Sequence, residues 1–345
     1  MKKILVAMSG GVDSAVTVGL LKEQGYTVGG ATMLLRPGAE AEAEDARRAA
    51  ETLDVPFWCF SLQPEFHERV IAPFCRVYQT GGTPNPCVVC NNRLKFGLFL
   101  DKALELGYDA IATGHYARVE QDPDSGRFLV KKALDEAKDQ TYMLHGLTQN
   151  QLSRVVLPLG NMTKAQAREK AAQLGLDVAA KHDSQDICFI PDGDYLQYLL
   201  DQGIEPRPGH FVDEEGRDYG PHRGFEAYTI GQRRGLDLAF GSRVYVLDKK
   251  ENGDVMIGPG EALLSTRVRV QNVNFIPFDR PDRPMRVEAK LRYTPKTAPC
   301  MLYPTKDGCE LVFNEPQRAV TPGQSAVFYR GELLLGGGEI AGSSR

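Results

Sequence analysis

The stretch Ser9-Gly10-Gly11-Val12-Asp13-Ser14 follows the apolar run Ile4-Leu5-Val6-Ala7-Met8 and opens a helix-like segment from Ala15 to Gln24. The order is strand, tight turn, helix. Gly10 and Gly11 carry no Cβ, so backbone N–H groups can close on a pyrophosphate at the positive end of the helix, with the Ser9 and Ser14 hydroxyls as further donors. Asp13 is a candidate ligand for a Mg²⁺ that bridges phosphates. A Walker loop would place Gly-Lys-Ser or Gly-Lys-Thr here, and the chain contains no Gly-Lys pair. The loop is of another kind.

Working outward, strand-like and helix-like patterns alternate: Ile4 to Met8, Ala15 to Gln24, Thr27 to Leu34, Ala41 to Leu53, Phe57 to Ser61, Lys95 to Leu106 and Ala110 to Ala112. That alternation predicts an α/β domain with a parallel sheet, whose ligands collect at the carboxyl ends of its strands. Thr148 to Leu157 and Thr163 to Leu174 read as two more helices, each capped by its Thr. Pro206, Pro208 and Gly209 mark a change of composition near Gly203. From Val268 onward, short β-type segments (Val268 to Val273, Met285 to Tyr293, Glu310 to Phe313, Ala326 to Tyr329) predict a small antiparallel sheet or barrel. The expected division is a catalytic domain over residues 1–200, a small central domain over 201–263 and a C-terminal β-barrel over 264–345.

The 345 residues, 42% hydrophobic and 25% charged, suffice for a large core and two or three domains. No apolar run approaches the roughly 20 residues that span a bilayer, and Met1-Lys2-Lys3 before Ile4 to Met8 is too short for a leader, so a cytoplasmic protein with no membrane partner is expected. The net charge of −4 argues against a protein that coats nucleic acid, but the charge is uneven. Leu264 to Arg345 holds twelve Lys/Arg against eight Asp/Glu, while Met1 to Leu200 holds 21 against 25. A basic module on an acidic body suits a partner bearing phosphates.

Seven cysteines without a secretion signal read as thiols, ligands or redox groups. Cys87 and Cys90 stand three residues apart in Thr83-Pro84-Asn85-Pro86-Cys87-Val88-Val89-Cys90-Asn91, after a proline-stiffened turn, and Cys188 lies in the polar stretch Asp183 to Phe189. Three readings stay open for the pair: a structural zinc, which lacks a second pair of ligands; a redox dithiol; or a sulfur-handling site shared with Cys188. Cys59 reads as core, Cys75 as a helix residue, and Cys300 and Cys309 as small buried hydrophobes of the C-terminal module.

The loop resembles the PP-loop of the ATP pyrophosphatases, which cut ATP between the α and β phosphates. Ser9 to Ser14, Thr83 to Asn91, Ala112-Thr113-Gly114-His115-Tyr116, Lys138-Asp139-Gln140-Thr141-Tyr142, Asp183 to Phe189, Gly231-Gln232-Arg233-Arg234-Gly235-Leu236 and Val320 to Phe328 together resemble the MnmA/TrmU family of tRNA-specific 2-thiouridylases, from the first strand to the last. The resemblance implies adenylation of O2 of the wobble uridine at position 34 in tRNAs for Lys, Glu and Gln, then replacement of that oxygen by sulfur. It implies ATP contacts at Ala7, Met8, Ser9, Gly10, Gly11, Val12, Asp13, Ser14, Met33 and Gly114, with Mg²⁺. Asn85, Pro86 and Cys87 would lie at the target base, Cys90 would be the nucleophile and Cys188 the persulfide carrier. His115, Lys138, Asp139, Gln140, Arg292, Tyr293 and Gln324 would touch tRNA; read alone, a His after Gly is equally a satisfied turn residue, and Arg-Tyr on a strand equally one exposed and one packed side chain.

Many members of that family carry Asp where this chain has Cys87. The site becomes Cys-x-x-Cys plus a distant Cys, the ligand set of PP-loop thiolases that hold a [4Fe-4S] cluster by three cysteines, leaving one iron open to exogenous sulfide. A cluster on Cys87, Cys90 and Cys188 is therefore expected, ahead of a relay that needs only Cys90 and Cys188 as a persulfide and disulfide pair. The sulfur donor would be a cysteine desulfurase, a sulfur-relay protein or free sulfide. The competing functions are another PP-loop ligase, which the absence of a glutaminase domain disfavours, and a zinc-holding RNA-binding or sulfur-carrier protein with a vestigial loop.

Overall fold

The computed structural model describes residues 2–176, 187–238, 243–293 and 296–344. β1 (Lys3–Ala7), β2 (Thr27–Leu34), β3 (Phe57–Ser61) and β4 (Ala110–Ala112) are joined by helices, including α1 (Val12–Glu23) and α2 (Glu40–Thr52). The hairpin β5 (Ala117–Gln121) and β6 (Phe128–Lys132) follows, then the short β7 (Val155–Val156). The first sheet is parallel with the order β3-β2-β1-β4-β7. Alternation along β1 serves two faces: Ile4, Val6 and Met8 join the core under α1 and α2, and Leu5 joins the core beneath the opposite helices.

The stretch Thr148 to Leu157, expected as one helix, forms a single turn, Gln149–Leu152, and then β7. Thr148 does cap that turn in a capping box with Gln151. The β-branched pair Val155 and Val156 finds backbone partners in Ile111 and Ala112 of β4, which ends the helix. The second predicted helix forms as Lys164–Gln173, with Thr163 and Gln166 making another capping box.

The central segment holds β8 (His210–Val212), β9 (Asp218–Pro221), β10 (Tyr245–Lys249) and β11 (Val255–Gly258) in a four-stranded sheet around Phe211, Val246 and Ile257. After it come β12 (Leu264–Phe275), β13 (Met285–Lys290), β14 (Ala298–Thr305), β15 (Gly308–Arg318), β16 (Ser325–Arg330) and β17 (Leu333–Ser344). They run β12-β15-β14-β13-β16-β17, and pairing of β17 with β12 closes a six-stranded antiparallel barrel. Cys300 and Cys309 are buried inside it, as expected for small hydrophobes, and Cys75 is buried on the helix Ala72–Gln79. Cys59 is exposed on the edge strand β3, not in the core.

The barrel is not a separate bead. β17 also pairs with β6 through Leu333 opposite Lys131 and Leu334 opposite Val130, so the β5–β6 hairpin extends the barrel sheet. β16 works for two interiors: Ala326 and Phe328 fill the barrel, while Val327 and Tyr329 pack into the core beneath the parallel sheet.

Candidate active site

The loop from Ser9 to Ser14 leaves the carboxyl end of β1 and turns into α1, whose N-cap is Gly11. Gly10 has φ +73°, and a Cβ there would come within 2.7 Å of the Glu42 carbonyl, so both backbone conformation and space require glycine. Gly114 is a second tight point. A Cβ on it would lie 2.8 Å from Asp13 Cβ and 2.9 Å from the Ser14 nitrogen, so the chain leaving β4 abuts the loop. Ala7 ends β1, and Met33 is half-buried near the carboxyl end of β2, on the same rim of the sheet.

Two hydroxyls have separate fates. Ser14 is buried; its Oγ donates to the Gly11 carbonyl (3.0 Å) and accepts from the Ser9 N–H (3.2 Å), which makes it an internal brace of the loop and not a free phosphate donor. Ser9 is exposed. Asp13 is held by two residues to which no role was assigned from sequence: Lys164 Nζ donates to Oδ1 (2.9 Å) and Oδ2 (2.8 Å), and the Tyr116 hydroxyl donates to Oδ1 (2.9 Å). Oδ1 is thereby filled, and of these contacts only Oδ2 retains a lone pair that a Mg²⁺ brought in with a nucleotide could share. The expected metal role of Asp13 narrows to that one position.

The turn Thr83 to Pro86 is built onto the barrel. Thr83 N–H donates to the Pro322 carbonyl (2.9 Å), and Gln324 Nε2 donates to the carbonyls of Thr83 and Pro84 (3.0 Å each). Asn85 then caps the short helix Pro86–Cys90, accepting from the Val88 N–H, and bonds the Tyr142 hydroxyl, which donates to the Ser325 carbonyl. That helix runs on into a π-helical stretch, Asn91–Leu98, an uncommon geometry that is frequent at functional sites.

Cys90 is 9% exposed and packs with Phe66, Phe74, Leu94, Phe189 and Ile190. Since Phe189 belongs to that core and Ile187 packs against it, Cys188 between them is carried to the same region, yet its own side chain is exposed. Desolvation pushes the Cys90 thiol up to about 12 and raises those of Cys87 and Cys188. Lys95 opposes this at all three thiols. Asp183 to Asp186 of the Cys188 motif lie outside the described residues.

The three thiols do not assemble the expected metal centre. Among the described residues no three His, Cys, Asp or Glu side chains form a group able to hold a metal ion, and all seven cysteines are free thiols. One thiol is sealed in an apolar core while another faces outward, so these residues as placed do not fit a [4Fe-4S] cluster.

The residues expected to touch tRNA divide. His115 is 8% exposed, with Nδ1 2.6 Å from the Thr113 hydroxyl and its ring against Phe96; burial pulls its pKa down to about 3. Asp139 is buried and accepts from the Ala133 N–H (3.1 Å) and the Thr141 hydroxyl (2.7 Å), and Gln140 accepts from the Tyr116 N–H (2.9 Å). These bonds tie the 138–140 loop to the nucleotide side, with Lys138 only half-exposed. Arg292 donates to the carbonyls of Arg318 and Ala319, while Tyr293 is 40% exposed and meets Tyr142 edge-on. Of the seven, only Arg292 and Tyr293 are exposed.

A glycine loop at the carboxyl end of a parallel sheet, a thiol pair on the helix after the Thr83–Pro86 turn and a β-barrel clamped to that turn define a three-part α/β protein of the nucleotide-loop class. Residues 2–192 match the tRNA methyl transferase HUP domain, 197–259 the tRNA methyl transferase PRC-barrel domain and 265–340 the aminomethyltransferase beta-barrel domain. The tRNA-specific 2-thiouridylase MnmA of Heliobacterium modesticaldum is 49% identical over 98% of this chain and 92% of that protein. Its namesake in Carboxydothermus hydrogenoformans is 47% identical over 98% and 97%. The chain belongs to the MnmA family of tRNA-specific 2-thiouridylases. The solved U34-tRNA thiolase NcsA from Methanococcus maripaludis, described with its [4Fe-4S] cluster, is 15% identical over 60% of this chain and 74% of that one at a TM-score of 0.38, too slight a likeness to bear on the cysteines.

Proposed function

We propose that the chain makes 2-thiouridine at the wobble position of tRNAs for Lys, Glu and Gln, using ATP to activate the base and a thiol relay to deliver sulfur. Methyl transfer is the reaction in two of the domain descriptions; the phosphate loop and the two unlike thiols favour thiolation instead. In the first step O2 of the uridine attacks the α-phosphorus of ATP as N3 gives up its proton, the bond to the β-phosphate oxygen breaks, and pyrophosphate leaves. An amide-like oxygen is thereby made a good leaving group. The loop of Ala7 to Ser14, with Met33 and Gly114, holds the nucleotide, and Mg²⁺ enters on it as part of the substrate. Asn85, Pro86 and Cys87 line the place of the extruded base.

The observation that carries the sulfur step is the contrast in exposure between the two thiols, Cys188 open and Cys90 closed, in one region. An exposed thiol can be loaded as a persulfide by an external desulfurase or sulfur-relay protein; a sealed one cannot. The terminal sulfur of the Cys188 persulfide attacks C2 and expels AMP with O2. Cys90, as thiolate, then attacks the Cys188 sulfur, freeing the thiocarbonyl base and leaving a Cys90–Cys188 disulfide that an external dithiol reduces.

Nucleoside mass spectrometry of tRNA incubated with enzyme, ATP and a sulfur donor tests the reading. Cys90→Ala and Cys188→Ala should yield no 2-thiouridine, whereas Cys87→Ala should keep appreciable activity. An iron-loaded brown protein in which Cys87→Ala is equally dead would restore the cluster. Pyrophosphate release without 2-thiouridine would indicate another PP-loop ligase, and no release at all a binding protein.

A further inference from the structure

The loop from Ser9 to Ser14 contains no cation; its one charged side chain is Asp13, which repels phosphate. The compensating charge comes from 151 residues away, where Lys164 Nζ grips both oxygens of Asp13. Three features make this more than an incidental ion pair. Lys164 is only 8% exposed, and enclosing an ammonium ion carries a desolvation cost that its partners must offset. It is also the first residue of the helix Lys164–Gln173, the end at which the helix dipole disfavours a cation. Finally, the carboxylate side chain of Asp13 is 30% exposed against 11% for Lys164, so the pair opens on its Asp13 side.

We propose that Lys164 is the cation of the phosphate loop: paired with Asp13 when the loop is empty, it also binds the β- and γ-phosphates of ATP when the loop is filled. The inference rests on the reading of the loop as an ATP site and adds a phosphate-binding residue from outside it. Tyr116, donating to Oδ1, fixes the carboxylate so that the ammonium is held beside the loop. A Walker lysine, which reaches the β- and γ-phosphates from within its loop, is here replaced by one supplied from a different helix.

Calorimetric titration of the full chain with ATP, inorganic pyrophosphate and AMP at fixed Mg²⁺ tests this. Lys164→Met should weaken ATP and pyrophosphate about 30-fold, the weight of a charge-assisted hydrogen bond, and change AMP by less than about threefold. Equal losses for ATP and AMP would mean that the pair is purely structural and would overturn the proposal. The double variant Asp13→Asn/Lys164→Met removes both charges; it should remain weak for ATP relative to AMP. Recovery of wild-type ATP affinity in it would show that Lys164 merely neutralises Asp13. Because Asp13 is itself expected to meet Mg²⁺, the double variant is read against Asp13→Asn alone, and that comparison carries the test even where Lys164→Met alone does not fold. A wild-type protein that binds neither ATP nor pyrophosphate would remove the ATP-site reading itself, whereas a Lys164→Met protein that binds both normally removes only the role of Lys164.

Discussion

Cys90 and Cys188 differ in solvent contact while sharing Lys95, and desolvation holds both thiols above their ordinary range. Reactive thiolate therefore grows as pH rises toward the thiol pKa. Alkylation of Cys90 in the unloaded enzyme should accelerate about tenfold per pH unit between pH 7 and 9, and that of Cys188 should rise over the same range. Cys188 should react well before Cys90 at each pH, and peptide mass spectrometry after timed iodoacetamide quenching would measure both. A flat profile would require thiols already ionised at neutral pH. His145 makes a second prediction: it is 6% exposed, and burial pulls its pKa down to about 4. The unfolded chain then binds the proton more readily, so stability from this residue is lost as pH falls from about 6.5 toward 4. Thermal melts of His145→Phe should show a shallower acid decline than the parent protein. The thiols and the loop were legible because their chemistry sits in short, contiguous words. Lys164 was not, since its partner is 151 residues distant and its only local sign is a lysine where a helix start disfavours one.

At the scale of elements, the proposed nucleotide site depends on how closely the end of β4 approaches the start of α1. Gly114→Ala would place a methyl group 2.8–2.9 Å from backbone and Cβ atoms of Asp13 and Ser14, which cannot swing aside as the tip of a flexible side chain can. ATP affinity should fall by at least about tenfold, in line with an overpacking penalty of one to three kcal/mol. Calorimetry together with a melting curve would separate this from global unfolding, because the parallel sheet beneath is otherwise untouched. Strands β1 to β4 and helices α1 and α2 could be read from apolar runs and the turn residues that bound them. Val155 and Val156 could not: two residues give no period, and only the neighbouring β4 makes them a strand. Gln324 was legible as a polar residue in a motif, but its use was not, because its amide bonds the backbone of Thr83 and Pro84 on another part of the chain.

In the whole molecule, the barrel and the catalytic domain share a broad contact, which includes the Gln324 bonds to the Thr83–Pro84 turn, the β6–β17 seam and the Val327 and Tyr329 side chains of β16. Gln324→Ala removes two hydrogen bonds to the segment proposed to face the target base, while leaving the nucleotide loop alone. The expected outcome is a several-fold rise in KM for tRNA with ATP affinity unchanged, measured by steady-state thiolation and by titration. A parallel fall in ATP affinity would mean that the two sites are not separable in this way. The seam has a consequence for how the protein is made. Val130 leaves the ribosome 204 residues before its strand partner Leu334. Throughout most of synthesis the β6 edge therefore stands uncovered, open to pairing with whatever strand meets it first. A chain halted before Leu333 should thus keep that edge bare and aggregate, so the codons for β17 decide whether a nascent chain ends as enzyme or as material for a chaperone.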